Sequence, residues 1–113
     1  MKDQIEFLEF LEIEKKLEIK IGKIISMEEV PKSSKLLKLE VDFGDEKRTV
    51  VTNIKPHLKY PWNNLEGLTF AFVTNLKPTT IMGIESNAMI MPGQIDKGDQ
   101  ILMIKGNPGG ILL

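Results

Sequence analysis

Residues 68–91, LTFAFVTNLKPTTIMGIESNAMIM, constrain the fold more tightly than any other stretch. Leu68 to Val73 is a nearly unbroken apolar run with two phenylalanines and a valine, the composition of a strand covered on both faces. Pro78 cannot donate to a ladder, so the strand ends within Asn75-Leu76-Lys77-Pro78. Gly83 allows a bend, and Ile84 to Met91 then reads as a second buried strand. Two such strands would present the residues between them on a rigid support, as binding surfaces commonly are. Those residues are one cation, two threonines, Met82, Glu85, Ser86 and Asn87.

The preceding chain supplies the partners these strands need. Asp3-Gln4-Ile5-Glu6 fits a capping box, with Asp3 as N-cap and Glu6 reaching back. Ile5, Leu8 and Leu11 follow at helical spacing, widened by Phe7 and Phe10, which predicts an amphipathic helix over about residues 3–14. From Leu17 the period becomes two, with Leu17, Ile19 and Ile21 apolar, and the register shifts after Gly22. A glycine at such a break suggests a bulge or coiling point in one long strand. Pro31 to Lys35 is a polar loop. Leu37, Leu39, Val41 and Phe43 then alternate with Lys38, Glu40 and Asp42 in a half-buried strand, and Gly44-Asp45-Glu46 turns it into a returning strand over Arg48–Ile54.

Lys55 to Gly67 is irregular and holds His57, Tyr60 and Trp62. The two larger aromatics either lid the core or form a stacking platform for a base. Pro92 to Asp99 is a turn region and Gln100 to Ile104 a last short strand. Gly106 to Gly110 is a flexible tail whose Ile111-Leu112-Leu113 end is expected to dock on a surface. Five or six short strands, a long coiled first strand and an insertion between the third and fourth fit a small closed barrel. The expected class is all-β with a small α contribution: a five-stranded OB-fold over residues 17–104, an N-terminal helical segment over 1–16 and a C-terminal dimerisation tail over 105–113. A β-sandwich is the alternative.

Composition then excludes function classes. The 113 residues make one domain with no room for a separate catalytic one. No apolar run approaches a membrane span and the opening residues carry interleaved acids, so neither a membrane nor a secretory address is expected. The chain has no cysteine and one histidine, which leaves no metal-ligand cluster. It also lacks a nucleophile–base pair and a phosphate-cradling glycine loop, so no catalytic residue, metal or cofactor is expected. A cytoplasmic, non-enzymatic protein follows. Residues 31–59 carry seven basic and four acidic side chains, a mildly basic patch, and Arg48 is the only arginine. Bidentate readout of phosphate or guanine is nearly out of reach.

Three ordered blocks, LEIKIGKI (17–24), VPKSSKLLKLEVDFGDEKRTVV (30–51) and NLKPTTIMGIESNAMIM (75–91), resemble the OB-fold tRNA-binding domain family, and the closing NPGGIL is similar to its tail. That family includes stand-alone dimeric tRNA-binding proteins, the C-terminal domain or beta subunit of methionyl-tRNA synthetase, and CsaA-type export chaperones. The resemblance implies a homodimer that grips tRNA by shape, with little sequence reading, alone or as an accessory subunit of methionyl-tRNA synthetase. Its alternative is a chaperone that holds unfolded or export-bound polypeptides, with Met82, Met89 and Met91 as adaptable contacts.

Matched position by position, the resemblance assigns tRNA binding to Lys35, Asn75, Lys77, Ser86 and Met89. Lys35 would meet a phosphate, Ser86 the backbone or sugar, and Met89 a sugar or base. The family's basic pair after the NLKP element is here Thr79-Thr80, its first-strand arginine is Lys20, and its glycine before the methionine is Ala88. These departures predict weak affinity with a shallow salt dependence. Strict alternation would put Ser86 and Met89 on opposite faces, so a shared site needs a bend at Asn87-Ala88.

Overall fold

The computed structural model describes residues 1–58, 63–92 and 103–113. Tyr60, Trp62 and most of the strand expected over 100–104 lie outside the described residues. Among the described residues one α-helix, α1 (Phe7–Lys16), precedes seven strands: β1 (Ile19–Glu29), β2 (Leu37–Asp42), β3 (Lys47–Thr52), β4 (Thr69–Val73), β5 (Thr79–Ile81), β6 (Ile84–Ser86) and β7 (Met89–Met91), with a 3-10 turn over Lys55–His57. Five of them form one antiparallel sheet in the order β3-β2-β1-β4-β7, and β5 and β6 form a separate hairpin. The sheet curls until β3 meets the chain between β6 and β7. There the Asn87 N–H donates to the Thr49 carbonyl (2.9 Å) and the Val51 N–H to Ser86 Oγ (2.9 Å). The curled five-stranded sheet is an OB-like half-barrel with one N-terminal helix, in keeping with the OB-fold expected.

β1 is long because it serves two partners in turn. Its first half, Ile19–Lys23, pairs with β4, and its second half, Lys23–Glu29, pairs with β2. The switch requires strong coiling, and Gly22 permits it. A Cβ there would lie 2.5 Å from Val41 and 2.8 Å from Phe43 and Phe72, so the strand approaches the core more closely than any side chain allows. The irregularity itself comes later than the alternation indicates: the ladder slips between Ile24 and Ser26, leaving Ile25 as the extra residue.

Two apolar clusters explain the unbroken apolar run of β4. Phe70 and Phe72 face the interior with Ile24, Leu39, Val41, Phe43, Val50 and Leu65, while Ala71 and Val73 pack on the other face with Ile19, Leu17 and Leu113. The second face is covered by the tail. Residues 109–113 run beside β1 through five backbone hydrogen bonds, among them Leu112 N–H to Ile19 O and Gly109 N–H to Ile21 O at 2.8 Å each. Five such bonds contribute about 0.5–1.5 kcal/mol apiece. Ordering five residues costs about 1–2 kcal/mol each. At the middle of these ranges the bonds fall a few kcal/mol short, and burial of Leu113 over Ile19, Ala71 and Val73 adds to them.

The helix begins later than expected. Glu6, not Asp3, occupies the N-cap, no side chain caps the first turn, and the capping box does not form. The helix has no buried residue and Phe7–Phe10 are all exposed, so packing does little to hold its first turn in the place the motif would need.

Candidate nucleic-acid interface

Between β4 and β7 the expected loop is a hairpin. β5 and β6 pair from Thr79↔Ser86 to Ile81↔Ile84, leaving Met82-Gly83 as a two-residue turn. Both residues have positive φ, 48° and 80°, as the tightest hairpin turn demands. Gly83 carries this without strain, whereas Met82 carries a Cβ into the left-handed region. The strand expected over Ile84–Met91 is broken after Ser86 and resumes at Met89. The cause is the barrel seam: Asn87 gives its N–H to Thr49 and its carbonyl to Arg48. The bend at Asn87-Ala88 is thus present, with alanine in place of the family's glycine.

The bend brings Ser86 and Met89 to one surface. Val51, Leu76, Lys77, Thr79, Ile81, Ser86, Ala88 and Met89 line a groove. It continues past Val51, Ile81 and Met89 to Leu36, Thr52, Asn53, Ile54 and Pro92. Lys77 and Met89 are exposed on its walls, and Lys35 is exposed next to Leu36 at its far end. The loop carrying Lys35 is held locally, since Ser33 Oγ accepts the N–H groups of Lys35 (3.2 Å) and Leu36 (3.1 Å). Among the described residues the ion pairs engage Lys15, Lys20, Lys38, Arg48 and Lys55, and leave Lys35 and Lys77 without a carboxylate partner.

Two of the five expected site residues spend their polar atoms inside the chain. Asn75 accepts the Glu18 N–H at Oδ1 (2.9 Å) and donates from Nδ2 to Lys16 O (2.6 Å), tying the helix–β1 junction to the end of β4. Ser86 is buried, with its Oγ accepting from Val51. A hydroxyl retains donor capacity, and here the proton has only Ala88 O at 3.5 Å.

The sequence reading missed the seam residues. Arg48, valued only for its scarcity, donates to Thr74 O (2.6 Å), Asn87 O (3.3 Å) and Glu46 (2.7 Å), and lies 5.5 Å from the Phe43 ring centroid. Thr74 in turn donates its hydroxyl to Glu18 Oε1 (2.6 Å). That bond holds the Glu18 carboxyl below its ordinary value, with Lys20 and Arg48 adding to the effect and partial desolvation opposing it. The available signal was an arginine on a strand whose following residues turn apolar. It marks a half-buried position rather than a solvated one.

A chain with this fold and groove belongs to a class of small β-barrel binding domains, and comparison identifies which. Residues 19–108 match the family model described as "Putative tRNA binding domain", and the chain belongs to that family. It is 51% identical over 76 residues to the methionine–tRNA ligase of Methanococcus aeolicus, covering 67% of this chain and 11% of that protein. The chain therefore spans about a tenth of the length of the curated relatives it matches. The crystal structure of a MetRS related protein from Pyrococcus horikoshii superposes with a TM-score of 0.77 at 32% identity, covering 99% of this chain and 100% of that one. The CsaA chaperone protein of Picrophilus torridus superposes at 0.73, with 97% and 100% coverage. At 22% identity it shows the fold alone. Among the described residues no helix is long and apolar enough to cross a membrane.

Proposed function

We propose that this protein binds tRNA by shape, largely independently of sequence, along the groove between the β5–β6 hairpin and β3. The observation that carries this reading is a groove with exposed apolar side chains flanked by Lys77 and Lys35, which have no carboxylate partner among the described residues. Lys77 and Lys35 meet phosphates, and Met89 and Leu76 pack against sugar or base. Ser86 contributes a donor to a sugar or phosphate oxygen, and Asn75 sets the position of the arm that carries Lys77. Few cations suffice for recognition through 2′-hydroxyls and phosphates. The protein acts alone or as an accessory subunit of methionyl-tRNA synthetase, in keeping with the identity it shares with a segment making up about a tenth of the length of such a ligase.

It does so as a two-fold dimer. Phe7, Leu8 and Ile13 of α1 are exposed, as are Ile111 and Leu112 of the tail, and Leu17 and Leu113 join the two elements over one cluster. A second copy covering both would bury a continuous apolar surface. The apolar lining of the groove favours one further reading, a chaperone holding an unfolded peptide against Leu76, Ile81 and Met89. Titrating labelled tRNA and a labelled unfolded polypeptide against the protein at low and moderate salt separates the two. Salt-sensitive binding of several unrelated tRNAs with similar affinity is expected, and peptide binding without tRNA binding would sink the first reading.

A further inference from the structure

We propose that Arg48 is a positioning residue that sets the width of the groove by clamping the two segments that form its walls. It stands at the start of β3, opposite Val41 in the β2–β3 ladder. A single guanidinium nitrogen, Nη1, donates to both Thr74 O and Asn87 O. Thr74 is the point from which the arm bearing Leu76 and Lys77 leaves β4. Asn87 is the break between Ser86 and Met89. The two opposing walls are therefore tied to one atom.

That atom is itself held from every side. Nε donates to Glu46 Oε1 at 2.7 Å, Nη2 pairs with the same carboxylate, and the guanidinium lies over Phe43. Phe43 meets Phe72 edge-on with centroids 5.3 Å apart, so the chain of contacts ends in the core. A planar fork can satisfy these directions together, whereas an ammonium is a point charge on a flexible stem. With four of its five N–H donors engaged within the chain and its side chain 23% exposed, Arg48 acts on a ligand mainly through Leu76, Lys77 and Met89.

This inference rests on the tRNA-binding reading, and its test keeps the two apart. Bulk tRNA is titrated against the full chain, Arg48→Lys and Glu46→Gln at several salt concentrations, and the methyl resonances of the free proteins are compared. Arg48→Lys should fold and bind tRNA about tenfold more weakly at every salt concentration, the order lost when a partner supporting a site is removed. The slope of log K on log[salt] should not change, and Glu46→Gln should show a smaller loss of the same kind. The Leu76 and Met89 methyl signals should both shift in the free Arg48→Lys protein. Because lysine keeps the charge, Arg48→Gln is titrated alongside, and a slope flattened by about 0.7–0.9 relative to Arg48→Lys would mean that Arg48 touches a phosphate. Unchanged affinity of folded Arg48→Lys would make it merely structural; either result overturns the proposal. Should Arg48→Lys fail to fold, unchanged affinity and methyl signals in Glu46→Gln would overturn it equally. If the wild type binds no tRNA, the functional reading fails, and the methyl shifts alone decide whether Arg48 holds the two walls.

Discussion

Ser86→Ala should destabilise the fold, because its hydroxyl closes the barrel seam. The Val51 N–H donates to Ser86 Oγ at 2.9 Å, and both residues are 7% exposed, so the donor loses its acceptor where solvent reaches it poorly. Alanine removes one atom and leaves the surrounding packing in place. The loss is then that of a buried, unsatisfied backbone donor, about 1–3 kcal/mol. At a urea slope of about 2 kcal/mol per molar, typical of a small domain, the midpoint should fall by roughly 0.5–1.5 M with the slope unchanged. Far-UV circular dichroism in urea reads this, at one protein concentration because a dimer's apparent stability depends on it. A Ser86→Ala protein with the wild-type midpoint would refute the seam argument.

Gly22→Ala should lower the melting temperature by roughly 10 °C or more in thermal unfolding, since its Cβ would overlap three core side chains at a cost of about 1–3 kcal/mol or more; an unchanged transition would contradict the close approach. Glu18 has a folded pKa below its ordinary value of 4.5, so its bond to Thr74 stabilises the fold above that value and is lost as pH falls through the lower folded one. Glu18→Gln should therefore lose less stability than wild type below pH 4.5, and parallel losses would show that the bond contributes nothing. Leu8→Glu combined with Ile111→Glu should halve the mass seen by light scattering while the fold is retained, and an unchanged mass would place the dimer contact elsewhere.

What was legible in the sequence was whatever alternation and composition report directly. Leu37 to Phe43 alternate because one face lies on the core, and β2 and its return strand appear where that pattern puts them. The doubly apolar β4 was legible for the same reason, although its second cover proved to be the chain's own tail. Hidden were the features set by contacts distant in sequence. The break at Asn87 is imposed by Thr49 and Arg48 from another strand; the run Ile84–Met91 reads as one strand, and only the resemblance, by placing Ser86 and Met89 in one site, required a bend there. The commitments of Asn75 and Ser86 were hidden likewise, since an amide or hydroxyl beside a binding surface looks the same whether it faces the ligand or the fold. The helix start was misplaced because a capping motif competes with fraying when packing does little to hold the first turn.

The account stands most directly on phosphate contacts from Lys35 and Lys77. Affinity for bulk tRNA should be measured across salt for the wild type and for the folded Lys35→Ala, Lys77→Ala double variant. Each lysine lost should reduce the magnitude of the log K on log[salt] slope by about 0.7–0.9. A double variant that binds tRNA with the wild-type affinity and slope would place the RNA surface outside this groove.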